Sequence, residues 1–131
     1  MPVICVTELK YTCPIVNWKL YMALQPAVLL TAAIAYLSLT ESTQVPSVSL
    51  NDKLIHAAMY LALAIAWLIP LKRSVWVLLG TTAFGGFMEL MQHYCTTTRS
   101  GDLLDLLADF VGATIGIILV ILWQRLYSTS R

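Results

Sequence analysis

The stretch DLLDLLADFVGATIGIILVILW, residues 102–123, decides the fold of this chain. Its part from Leu103 to Trp123 approaches the ~20 apolar residues that cross about 30 Å of hydrocarbon as an α-helix. No ionisable side chain occurs between Phe110 and Trp123. The stretch therefore predicts a transmembrane helix that begins with acidic residues.

Three aspartates enter this helix along one side. Asp102, Asp105 and Asp109 are spaced i, i+3 and i+7, and a 3.6-residue period keeps such positions on one stripe. Asp109 lies roughly 10 Å further along the axis than Asp102. An acid carried that far into lipid costs about 2.5–3.5 kcal/mol on insertion scales unless the protein supplies a partner. We therefore expect Asp109 to have a partner inside the protein.

The composition of the whole chain is typical of a membrane protein. Its 131 residues are 59% hydrophobic and 11% charged, with a mean hydropathy of +0.77, whereas a soluble domain has about 25% charged residues. We predict one domain, residues 1–131. The net charge of +1 gives no general attraction for nucleic acid. Cys5, Cys13 and Cys95 form no CxxC pair, and we expect no structural disulfide.

Four apolar stretches predict an all-α integral membrane bundle of four transmembrane helices, over about residues 20–39, 54–71, 74–95 and 103–123. Six of the eight basic residues lie on the side shared by both termini and the loop between spans two and three: Lys10, Lys19, Lys72, Arg73, Arg125 and Arg131. The positive-inside rule then predicts that both termini are cytoplasmic. Residues 1–16 lack the pattern of a signal peptide and are expected to be a cytosolic or interfacial lead-in.

Acidic residues show the opposite distribution. All of them except Glu8 lie in or near the predicted outer half of the bundle. Acids contribute little to topology, so the insertion rules do not explain this bias. It indicates that the outer end of the protein uses these carboxylates.

Three motifs carry most of the polar residues of the spans: Asp52-Lys53-x-x-His56-x-x-x-Tyr60, Gly85-Gly86-x-x-Glu89-x-x-Gln92-His93, and Arg99-x-x-Asp102-x-x-Asp105-x-x-x-Asp109-x-x-Gly112-x-x-x-Gly116. Spans two and four begin outside and span three ends there, so the motifs are expected to converge near the outer surface. We predict an outward-facing polar pocket whose ligand-binding residues are Asp52, Lys53, His56, Tyr60, Glu89, Gln92, Arg99, Asp102, Asp105 and Asp109.

Part of this pattern has a purely structural interpretation. Asp52 and Asp102 suit the first turn of a helix, where the dipole favours an acid. The glycines permit close helix packing. Capping explains neither Glu89 nor Asp109, which both need partners within the bundle. The alternative to a pocket is a structural charge network in which Arg99, Lys53 or His56 pairs with these acids.

Some of the same residues are of the types that bind metal ions. Asp52-x-x-x-His56 and Glu89-x-x-x-His93 each place two ligand types one helical turn apart. No HExxH or cysteine pattern accompanies them, and His93 points partly away from Glu89. The sequence therefore predicts neither a metal nor a cofactor.

Taken together, the motifs resemble the VanZ-like family of small bacterial membrane proteins. The resemblance runs from Ser38-Leu39-Thr40 through the three motifs to Gly116, over about residues 36–116. Two positions depart from the family pattern: Asp109 stands where Asn is more frequent, and Glu41 replaces a proline. The resemblance implies a bacterial inner or plasma membrane protein linked to low-level teicoplanin resistance. It implies no catalytic residues.

Three functions are compatible with the predicted pocket. The first is binding of a membrane lipid headgroup, a cell-wall precursor or a lipoglycopeptide, with Lys53 and Arg99 contacting anionic groups. The second is a membrane enzyme acting on a lipid headgroup, with His56 or Glu89 as general base. The third is a small proton-coupled transporter, which four spans without an inverted repeat disfavour. The sequence leaves enzymatic activity and oligomeric state open.

Overall fold

A computed structural model describes residues 18–40, 50–95 and 103–129 of the chain. These residues form four α-helices and no strand: α1 (Trp18–Leu39), α2 (Leu50–Leu71), α3 (Ser74–Cys95) and α4 (Leu103–Thr129). Each helix is long and apolar enough to cross a membrane. The prediction of an all-α bundle with four membrane spans is confirmed, and the chain is a multi-pass membrane protein.

The boundaries differ from the predicted spans mainly at two helices. Helix α2 begins at Leu50 and not near residue 54, and α4 continues to Thr129, beyond the predicted end at residue 123. Both extensions are more polar than the spans they prolong. Backbone hydrogen bonding continues a helix past the apolar segment, whereas the prediction counted apolar residues alone.

Helices α2 and α3 are joined by a tight turn. Pro70 lies in the last turn of α2, and Lys72 follows with φ of 54°. This left-handed conformation lets the Lys72 amide donate to the Leu68 carbonyl at 2.8 Å, which closes the end of the helix. Because only Lys72 and Arg73 separate the two helices, α2 and α3 run antiparallel.

The surface of the bundle is rich in large apolar side chains. Leu29, Val75 and Leu103 are 69%, 68% and 79% exposed. Side chains of this kind favour a lipid environment around a transmembrane bundle. The buried core is small and centres on Ile34 of α1, Tyr60 and Leu63 of α2, and Ala113 of α4.

Helix α2 is the centre of the bundle. It contacts each of the other three helices, most extensively α4, whereas the backbones of α1 and α4 do not come close within the described residues. Glycines on α4 allow the close approach. A Cβ at Gly112 would overlap the backbone of Ala57, and a Cβ at Gly116 would lie 2.6 Å from the Leu61 carbonyl oxygen. Small residues at such interfaces let backbones approach closely in membranes.

Candidate functional site

Polar side chains gather at the end of the bundle where α2 and α4 begin and where α1 and α3 end. We call Asp52, Lys53, His56, Glu89, Asp105 and Asp109 the polar cluster. Asp52 and Asp105 lie in the first turns of α2 and α4, where the helix dipole favours negative charge. The close packing of α2 against α4 then brings the polar side chains of these two helices together.

The outermost contact of the cluster is an ion pair. Lys53 Nζ donates to Asp105 Oδ1 at 2.9 Å, joining α2 to α4. Both side chains keep some exposure, 24% for Lys53 and 14% for Asp105.

The next contact lies deeper between the same two helices. His56 Nδ1 and Asp109 Oδ1 share a hydrogen bond at 3.1 Å, and their side chains are only 7% and 1% exposed. The Tyr60 side chain interacts with the same carboxylate. Asp109 therefore has the internal partner that its position in an apolar helix required. Of the three partners that the sequence offered for the buried acids, Arg99, Lys53 and His56, the structure pairs His56 with Asp109.

Gly85 of α3 shapes the pocket around Asp109. A Cβ at this glycine would lie 2.8 Å from Asp109 Oδ2 and 3.3 Å from Tyr60 Cε1. Because Gly85 has no side chain, α3 leaves room for the Asp109 carboxylate of α4. The sequence pattern had suggested only helix packing for this glycine.

Glu89 completes the inner part of the cluster from α3. Its carboxylate, the His56 ring and the Asp109 carboxylate bring ligand atoms within 4.8 Å of one another. Taken over the whole residue, Glu89 is partly exposed, whereas the group that it forms with His56 and Asp109 is buried. A second trio, Asp52, His56 and Asp105, meets the same distance. His56 belongs to both trios.

Gln92 lies beside the cluster and connects α3 to α1. It is 3% exposed, and its side-chain amide donates to the Ser38 carbonyl at 3.1 Å. A second connection lies further into the bundle, where Trp67 Nε1 donates to Thr31 Oγ1 at 3.1 Å. Sequence reasoning missed Thr31, although a hydroxyl in an apolar span is a usable signal. It also missed Ser38, which no side-chain pattern identifies because the acceptor is its backbone carbonyl.

The structure brings together most of the predicted site residues. The polar cluster contains six of them: Asp52, Lys53, His56, Glu89, Asp105 and Asp109. Tyr60 lies at its inner edge and contacts Asp109, and Gln92 lies beside it near the end of α3 and bonds to α1. Arg99 and Asp102 lie outside the described residues. His93, considered as a metal ligand with Glu89, is exposed and stacks edge-on against Tyr94.

The arrangement has two chemical properties. Its outer part presents a positioned ammonium group next to carboxylates, which suits a polar or anionic ligand. Its inner part holds an imidazole and two carboxylates in an apolar bundle, which suits proton exchange or cation binding. Within the described residues, α2 and α4 form the outer part and α3 joins them in the inner part, at the same end of the molecule.

Comparisons with protein-family models, with curated proteins and with solved structures each returned no match to this chain. The fold and site define the class, a four-helix multi-pass membrane protein with a polar cluster at one end of the bundle.

Proposed function

We propose that this chain is a VanZ-like integral membrane protein of the bacterial envelope that binds an anionic headgroup through its polar cluster. The headgroup belongs to a membrane lipid, a lipid-linked cell-wall precursor or a lipoglycopeptide, which share phosphate or carboxylate chemistry. In this proposal the cluster faces the outside, and binding contributes to teicoplanin-type resistance. The ordered motifs over residues 36–116 support the family assignment.

The observation that carries the proposal is the gradient of exposure through the cluster. Side-chain exposure falls from 24% at Lys53 and 14% at Asp105 to 7% at His56 and 1% at Asp109. The cluster thus opens at the helix ends and closes within the bundle. At the open end Asp105 holds the Lys53 ammonium in place while leaving it reachable. A positioned cation loses little freedom when it binds a headgroup.

Binding to purified protein tests the proposal. The full chain in detergent micelles is titrated separately with phosphatidylglycerol, a polyprenyl pyrophosphate and teicoplanin, with phosphatidylcholine as the zwitterionic reference. Hydrogen bonds to charged groups contribute about 1.5–3 kcal/mol, so Lys53→Ala is expected to weaken binding of the correct probe by about 10- to 100-fold. Lys72→Ala is the matched control, because Lys72 is exposed at the opposite end of the bundle.

Two results would contradict this function. One is equal affinity of parent and Lys53→Ala for every anionic probe. The other is binding of phosphatidylcholine as strong as that of the anionic probes. In a susceptible bacterial host, the parent is expected to raise the inhibitory concentration of teicoplanin, and Lys53→Ala is expected to lose that effect while Lys72→Ala keeps it.

A second candidate is acid–base chemistry on the bound headgroup. The buried His56–Asp109 pair favours it, because a carboxylate that orients an imidazole is a common arrangement for general bases. In this case His56→Ala abolishes turnover of a purified lipid substrate while binding survives. Loss of binding together with turnover would assign His56 to the bundle structure instead.

A further inference from the structure

Three helices each contribute one potential metal ligand to the inner part of the polar cluster. His56 comes from α2, Glu89 from α3 and Asp109 from α4, and their ligand atoms lie within 4.8 Å of one another. We infer that this trio binds a divalent transition-metal ion. The inference is independent of headgroup binding, since it concerns the buried trio and not the Lys53–Asp105 opening.

The spacing of the ligand atoms suits a shared cation. Adjacent ligands at about 2.1 Å from an octahedral ion are separated by about 3.0 Å. His56 Nδ1 and Asp109 Oδ1 are 3.1 Å apart. Glu89 reaches the same space from the third helix, within 4.8 Å of both. An ion seated there replaces the shared hydrogen bond with two coordinate bonds, and Glu89 supplies the third.

The balance of charge also favours a cation. Among the described residues, the polar cluster holds four carboxylates, one lysine and one histidine. Two of the carboxylates, Glu89 and Asp109, meet at the histidine. Charge at membrane depth is costly unless it is compensated. One divalent ion compensates both carboxylates at once.

The ligand set selects the kind of ion. Calcium and magnesium prefer oxygen ligands alone. One imidazole with two carboxylates suits zinc or manganese better. The outer trio of Asp52, His56 and Asp105 shares the histidine and is partly exposed, so it provides a route for the ion from the helix ends. Tyr60, which interacts with Asp109, supplies the outer-shell support that metal-binding carboxylates usually have.

Metal content of the purified full chain tests the inference. The protein in detergent is stripped with a chelator, dialysed, equilibrated separately with zinc, manganese and magnesium, and analysed by mass spectrometry of the elements. We expect about one zinc or manganese per chain and much less magnesium. Glu89→Gln and Asp109→Asn, which keep the side-chain size, are each expected to weaken binding at least tenfold. Loading with cobalt provides a second measurement, because the visible absorption spectrum of bound cobalt depends on its ligands.

The matched control is His93→Gln, since His93 is the chain's other histidine and lies exposed on α3. It is expected to keep the full metal content. Circular dichroism and gel filtration establish that each variant is folded. The inference is overturned when the folded parent takes up less than about a tenth of an equivalent. It is also overturned when Glu89→Gln and Asp109→Asn bind as the parent does, or when His93→Gln alone loses the metal.

Discussion

The contact between α2 and α4 at Gly112 makes a sharp prediction about stability. A Cβ at this position would lie 2.8 Å from the Cα and 2.7 Å from the carbonyl carbon of Ala57, and closer still to the carbonyl oxygen. Ordinary contact begins at 3.4 Å, so Gly112→Ala must move the Ala57 carbonyl carbon away by about 0.7 Å, and the carbonyl oxygen by more. Backbone atoms have no alternative rotamer through which to avoid the overlap.

The magnitude follows from the cost of overpacking a core. Extra methyl groups in a well-packed interior cost about 1–3 kcal/mol, which is about a 5- to 140-fold change in the folding equilibrium. The effect reaches the polar cluster as well. His56 directly precedes Ala57, and Asp109 lies one turn before Gly112, so separation of the helices lengthens the His56–Asp109 contact.

Unfolding of the purified protein in mixed micelles with increasing dodecyl sulfate measures the effect, followed by far-ultraviolet circular dichroism and tryptophan fluorescence. Gly80→Ala is the matched control, because Gly80 has no atom within 4 Å of an added Cβ. Alanine at an open helical site is neutral or stabilising by up to about 1 kcal/mol. A Gly112→Ala protein as stable as Gly80→Ala would refute the close packing of α2 on α4.

Two further predictions concern the surroundings of Asp109. With chelator present, Asp109→Asn is expected to leave stability unchanged or raise it, because the amide keeps a hydrogen bond to His56 and removes a charge from the membrane. A loss of stability above about 1 kcal/mol in the same unfolding assay would contradict this expectation. Gly85→Ala places a methyl group 2.8 Å from Asp109 Oδ2, so we expect it to destabilise the protein by about 1 kcal/mol. In the Asp109→Ala background the same substitution is expected to cost much less, because the carboxylate is absent. Strictly additive effects would show that the methyl group does not press on the carboxylate.

Much of the fold was predictable because a membrane imposes simple rules. Apolar length alone located four spans, since only helices or closed barrels satisfy the backbone in lipid. The start of α4 at Leu103 and the bounds of α3 agree with the predicted spans. The extensions of α2 and α4 were missed, because polar residues at a helix end stay helical without being apolar.

The grouping of the polar residues was also predictable, but their pairing was not. Spacing along a helix gives the face on which a residue lies, and alternation of the helices gives the end of the bundle. Neither fixes how each helix is rotated about its own axis relative to its neighbours, and that rotation decides which side chains pair. The sequence offered Lys53, Arg99 and His56 as partners of Asp109 without ranking them, whereas in the structure Asp109 bonds to His56 and Lys53 bonds to Asp105.

One face of α4 explains why the site and the fold depend on each other. Asp105, Asp109, Gly112 and Gly116 follow one another at intervals of three or four residues and all meet α2. At the inner end of this face the glycines let the backbones touch, at Ala57 and Leu61. At the outer end that same closeness brings each aspartate within bonding distance of an α2 side chain. Aspartates in a lipid-spanning helix are therefore tolerated, because the glycines that follow on the same face keep their α2 partners within bonding distance.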